Sequence, residues 1–185
     1  MYLALREVRF ARGRFALMGA VVALITLLLV MLTGLTSGLE RQNIAAIDSL
    51  PADQIAFGDD ERDPSYTESS VDAEQLEIWQ QAEGVSHAEP LGVSQTTAES
   101  GAAVSVAVFG LTEGSLMGPE GEAAPNADQT VISEEISEDL GLAAGDPVTV
   151  NGQELTVSAV ASTQWYSHTP VMWTALPQWQ ELSPR

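Results

Sequence analysis

TVISEEISEDLGLAAGDPVTVNGQELTVSAVAST, residues 130–163, carries strand, helix and hairpin signals so closely spaced that it sets the fold class of the chain. Val131 and Ile132 open a strand, and Ser133 stands at the N-cap of a short helix whose Ile136 and Leu140 share a face. Gly141 follows as the helix stop. Beyond it, Asp146–Val150 and Leu155–Val160 are β-rich runs joined at Asn151-Gly152, a pair suited to the two positive φ angles of a type I′ turn. A strand, a helix and a hairpin in this order predict a small β-rich module, and with it the α+β class, as a mixed, β-rich domain.

The flanks extend the same pattern. Downstream, a strand is expected around Val171–Thr174 and a short helix beginning near Pro177, where proline's fixed φ suits a first helical turn. Upstream, AAVSVAVFGL at Ala102–Leu111 is the clearest strand, with imperfect alternation and small residues on one face; VSHAEPLGVSQTT before it also reads as short Val/Thr-rich sequence. Asp72 can cap a helix over AEQLEIWQQAEG with Gln75 three residues on, Leu76 and Trp79 on one face and Gly84 as terminator. GDDERDPSYTESS reads as an exposed loop, because Asp59, Asp60, Glu61 and Asp63 lack the glycine and closing glutamate of a calcium-binding EF-hand.

Near the N-terminus, FALMGAVVALITLLLVMLTGL from Phe15 to Leu35 has no charge and spans roughly 30 Å as a helix, enough for a hydrocarbon core. It exceeds the roughly 7–15 apolar residues of a cleaved signal, and no clean small-residue cleavage site follows directly. The expected organisation is a cytoplasmic interfacial segment at 1–14, a transmembrane helix at 15–37 and an extracytoplasmic domain at 38–185. A helical stalk at about 38–52 would set Ile44, Ile47 and Leu50 on one face, with Pro51 ending it. Arg6, Arg9, Arg12 and Arg14 precede the span, so the positive-inside rule keeps the N-terminus in the cytoplasm. Arg6, Arg9 and Arg12 at three-residue steps also suit a short helix lying under the inner leaflet. Gly19, Ala23, Thr26 and Thr33 give the span a narrow, faintly polar stripe of the kind that packs against other membrane helices.

The net charge is −19, with no lysine, and residues 41–185 hold 24 acids against Arg41, Arg62 and Arg185. Such a surface repels phosphate backbones and anionic head groups, so nucleic acid is not an expected partner. Cysteine is absent, which removes disulfides, thiolate metal sites and cysteine nucleophiles together. There is no Walker motif, no G-x-S-x-G and no H-E-x-x-H, and only two histidines, so an enzyme is not expected and no cofactor is assigned to this chain.

The order of basic flank, single span, long outer domain and strand–helix–GD–hairpin unit resembles the MacB/FtsX-like permease subunits of ABC transporters. MYLALREVRFARGRFALMGAVVALITLLLVMLTGLTSGL and SEEISEDLGLAAGDPVTVNGQELTVSAV carry that resemblance most specifically. The opening segment and WYSHTPVMWTAL look like the haem-exporting, HrtB-type members. The resemblance implies a homodimeric permease of four spans working with a separate ATPase subunit, which binds the ATP. No second apolar run follows before Arg185, so on this resemblance the chain is an N-terminal piece of such a subunit.

If haem is the substrate, Glu40 is the first carboxylate beyond the span. Tyr166, His168 and Met172 then offer iron ligands, and Trp165 and Trp173 flat apolar surface. The plainer assignment makes Glu40 a juxtamembrane charge and the aromatic residues core or interface packing. The alternative from a different class is a membrane-anchored extracytoplasmic binding or scaffold domain.

Overall fold

The computed structural model describes residues 12–58, 66, 69–115, 117–121 and 124–183, the side chains of residues 39–42 excepted. The interfacial segment and the acidic cluster Asp59, Asp60, Glu61 and Asp63 lie outside the described residues. The chain divides between Arg41 and Gln42 into two compact units.

Helix α1 runs from Arg12 to Asp48. Its Arg12–Gly38 portion is, among the described residues, the one helix long and apolar enough to cross a membrane, and none of its most apolar stretch is buried in protein. Gly19, Ala23, Thr26 and Thr33 are exposed there. The Thr26 hydroxyl donates to the Val22 carbonyl at 2.9 Å, so this polar group is satisfied within its own helix. The helix ends at Asp48 rather than at Pro51: proline restricts the residue before it away from helical ψ, and Leu50 already turns back to the Ile47 carbonyl.

The outer unit continues with α2 (Ala73–Gln80), β1 (Leu91–Ser100), β2 (Ala102–Leu111), a 3-10 turn (Pro119–Gly121), β3 (Gln129–Ser133), α3 (Glu134–Leu140), β4 (Pro147–Val150), β5 (Gln153–Ala161), β6 (Trp165–Tyr166), β7 (Thr169–Ala175) and α4 (Leu176–Leu182). This is the expected α+β class. The strand order is β2-β1-β4-β5-β3-β7-β6, and β2 also pairs with β7, so six strands close into a ring with β6 outside it. The expected β4–β5 hairpin is therefore two staves of the ring and no separate module. Its turn has Asn151 at φ 47° and Gly152 at φ 82°, as type I′ geometry requires. The Asn151 side-chain amide donates to the Leu182 carbonyl at 2.7 Å, tying that turn to the end of α4.

Alternation along β2, β3 and β7 separates two cores. Val108 and Ile132 flank Met172 on one face, while Phe109 and Val131 flank Trp173 on the other. All six ring strands feed the first core, which also takes Ile136 and Leu140 of α3 and Leu182 of α4, so it is the filled inside of the ring. The second core lies outside and is covered by Ala46 and Ile47 of α1. Residues 106–111 of β2 are thus buried on both faces, which explains the imperfect alternation in its sequence.

The caps follow the expected positions except at the end of α2, and one of them changes partner. Asp72 and Gln75 form a complete capping box. Helix α2 ends at Gln80, because Ala82 and Val85 make successive tight turns, and Gly84, at φ 87°, serves the turn beyond the helix. Ser133 occupies the N-cap of α3, but its buried hydroxyl makes no capping bond; Thr163 instead accepts the Glu135 N–H at 3.1 Å. Gly141 closes α3 in the left-handed region, as expected.

Trp179 of α4 lies on a bare patch made by the cross-strand pair Gly92 and Gly110. Its indole N–H donates to the Ser94 hydroxyl at 2.9 Å, so the ring is fixed at both its apolar body and its polar tip.

Candidate functional site

The candidate site is where the end of α1 meets the β6–β7 hairpin, both within the outer unit. The hairpin turn is Ser167-His168, with φ of 47° and 66°. Two left-handed non-glycine residues in succession cost conformational energy, and surrounding contacts must hold them. Here the Ser167 N–H donates to the Asn43 carbonyl at 2.9 Å, while the Thr169 hydroxyl donates to the Tyr166 carbonyl at 2.8 Å. The Ser49 hydroxyl donates to Gln164 Oε1 at 2.7 Å, a second tie between the helix end and this hairpin. Beneath these bonds Ala46 and Ile47 are buried against the outer core, with Leu50 partly buried beside them. Ile44, expected on the same face, is 43% exposed, and Ala46 takes the inward position.

An aromatic chain borders this junction. Phe57, Tyr66, Tyr166 and Phe109 stack edge to face in succession, with ring centroids 5.0, 5.9 and 5.7 Å apart. Burial raises the Tyr166 phenol above its ordinary value, with a smaller push from Tyr66. A neutral phenol is therefore the form present at neutral pH, and the ring acts there as packing with a polar tip.

The sequence-derived candidates distribute unevenly. Tyr166 and His168 share the hairpin, with Tyr166 half-buried and His168 exposed at the turn. Trp165 is half-buried opposite Pro170. Met172 is fully buried inside the ring, whereas Trp173 faces the outer core, so these neighbours point to opposite sides of β7. Glu40 lies on α1, and its side chain is outside the described residues. Sequence reasoning missed Asn43, Ser49, Gln164, Phe57 and Tyr66. Ser-His is not one of the residue pairs that announce a type I′ turn, and without the hairpin nothing ties these positions together.

Two other polar groupings are structural in form. His87 Nε2 is 3.7 Å from Glu89 Oε2, and the Ser115 hydroxyl donates to Glu89 Oε1 at 2.7 Å. The carboxylate stands between serine and histidine, whereas nucleophilic catalysis needs the histidine there. Among the described residues no group of three or more His, Asp or Glu is placed to hold a metal ion. Glu120, at φ 60°, accepts bonds from the Ser162 hydroxyl and amide, which hold its carboxyl below the usual range. A lowered carboxyl stabilises above its unfolded value and loses that contribution as pH falls through the folded one. In an acid titration, the Ser162 amide resonance should therefore move with a midpoint below that of an ordinary glutamate. Glu120→Gln should abolish the transition; an ordinary midpoint would show that the bond contributes nothing.

With this geometry in place, the comparisons define the class. The chain belongs to the family of the MacB-like periplasmic core domain, which matches residues 15–184. That family is a permease-type domain outside the bilayer, and the apolar Arg12–Gly38 helix of this chain is long enough to cross one. The resemblance to MacB/FtsX-like permeases is borne out at this level. Among individual relatives, a Staphylococcus haemolyticus chain bearing the name hemin transport system permease protein HrtB is 29% identical over 75 residues, covering 40% of this chain and 21% of that one. The crystal structure of the extracellular domain of the noncanonical ABC-type transporter YknZ from Gram-positive bacteria is 14% identical, covering 59% of this chain and 64% of that one, with a TM-score of 0.45. The match therefore spans about a fifth of the length of the curated relative.

Proposed function

We propose that the chain supplies a membrane span and the extracytoplasmic domain of an ABC-transporter permease that exports a hydrophobic or amphipathic substrate such as haem. In this reading a separate cytoplasmic ATPase drives transport, two copies of the intact subunit pair, and the N-terminus is inside the cell. Movement of the helix end is passed to the outer domain through the β6–β7 hairpin, and through β7 to the two strands that flank it. The observation that carries the reading is the burial of Ala46 and Ile47, the last turn of a helix continuous with the apolar segment, in the core of a family-typical domain. Tyr166, His168 and Glu40 are the residues we assign to substrate approach; Met172, enclosed in the ring, would reach a ligand only if the ring opened.

Two measurements test this. Because the chain has no cysteine, Ala102→Cys at the exposed hairpin tip gives a single thiol. It should react with a membrane-impermeant maleimide in intact cells, and labelling only after lysis would reverse the orientation. Haemin titration of the intact subunit should give a Soret shift that weakens in Glu40→Ala and His168→Ala. Equal spectra and affinity in both variants would remove these residues from the substrate path.

A further inference from the structure

Helix α2 is a folded element with an outward face that nothing covers among the described residues. It has eight residues and a complete capping box, yet none of its residues is buried. Helices this short are marginal alone in water and normally persist by packing an apolar face. Ile78 at its centre is 61% exposed, and Val71 and Val85 on its two flanks are 38% and 40% exposed. Glu74, one turn before Ile78, stands on the same side, with Glu77 next to it and Asp72 and Glu83 at the two ends. The outward face is thus an isoleucine set among carboxylates.

The charge pattern of the chain says what suits that face. From Asp63 to Pro184 there is no lysine or arginine at all. Among the described residues the acids of this domain meet one cation-capable partner, His87 beside Glu89. A second copy of the domain would bring carboxylates against carboxylates, and anionic lipid or nucleic acid would be repelled in the same way. We propose that α2 is the docking surface for a basic, amphipathic polypeptide segment, whose apolar side covers Ile78 and whose lysines or arginines pair with Glu74 and Glu77. Such a segment would cover the face of α2 opposite the partly buried Leu76 and Trp79 and supply the counter-charge that the sequence from Asp63 to Pro184 does not contain.

The test uses the full chain in nanodiscs and an amphipathic Leu/Lys peptide as probe, with a Leu/Glu peptide of the same pattern as control. The Leu/Lys peptide should bind and the control should not. Ile78→Ser and the pair Glu74→Lys with Glu77→Lys should each weaken binding about tenfold. The pair Glu134→Lys with Glu138→Lys on the exposed side of α3, which changes net charge equally, should have little effect. Equal losses from the α2 and α3 charge reversals, or no loss from Ile78→Ser, would reduce binding to general attraction by an acidic surface and overturn the proposal. Self-association of the chain that Ile78→Ser abolishes would give the face to a second copy and overturn it equally.

Discussion

Trp173→Ala should destabilise the outer domain by about 3–5 kcal/mol, the range for removing a large aromatic side chain from a packed core. Trp173 is 1% exposed and sits between Phe109 on β2 and Val131 on β3, so its loss opens a void where three strands meet. Domains of this size have only about 5–15 kcal/mol in total, so the variant should lose at least about a fifth of its stability. Urea unfolding of the chain, followed by far-UV circular dichroism, reads this as a lower midpoint at unchanged slope. A cost below about 1 kcal/mol would mean that the outer core is not packed around this ring.

Gly110→Ala should cost about 1–3 kcal/mol although alanine is otherwise a neutral replacement for an extended glycine. A methyl at Gly110 would stand 2.5 Å from Trp179 Cβ and 2.6 Å from its Cγ, too close for either atom. The ring has little freedom to yield, since its Cβ is fixed by α4 and its N–H by Ser94. Combining Gly110→Ala with Trp179→Ala should cost less than the two single losses added, because the second change removes the collision. Simple additivity in thermal unfolding would show that α4 does not rest on the glycine pair.

Much of the outer domain was legible in residue order because its strongest signals are local. The Asn151-Gly152 turn, the Ile136/Leu140 stripe, the Gly141 stop and the Asp72–Gln75 box each depend on neighbours within a few positions, and the fold uses all of them. Closure of the ring was not legible, since the pairing of residues 107–111 with 171–175 joins segments that share no local signal. Trp179 illustrates the same limit, because its meaning depends on two glycines in distant strands. In the candidate site, Tyr166 and His168 were visible as residue types. Their places were not, because the Ser167-His168 turn takes its shape from contacts with α1 rather than from its own residue preferences.

That long-range closure has a consequence for biogenesis. β7 is the next-to-last element of the described domain and lies between β2 and β3, so no earlier stretch can seal the ring in its place. While the polypeptide emerges, the apolar edge at Val108 and Phe109 stays open until residue 175 is delivered, a window in which intermolecular strand pairing competes. A ribosomal stall or proteolytic cut just upstream of Thr169 should therefore yield aggregate rather than a smaller folded remnant.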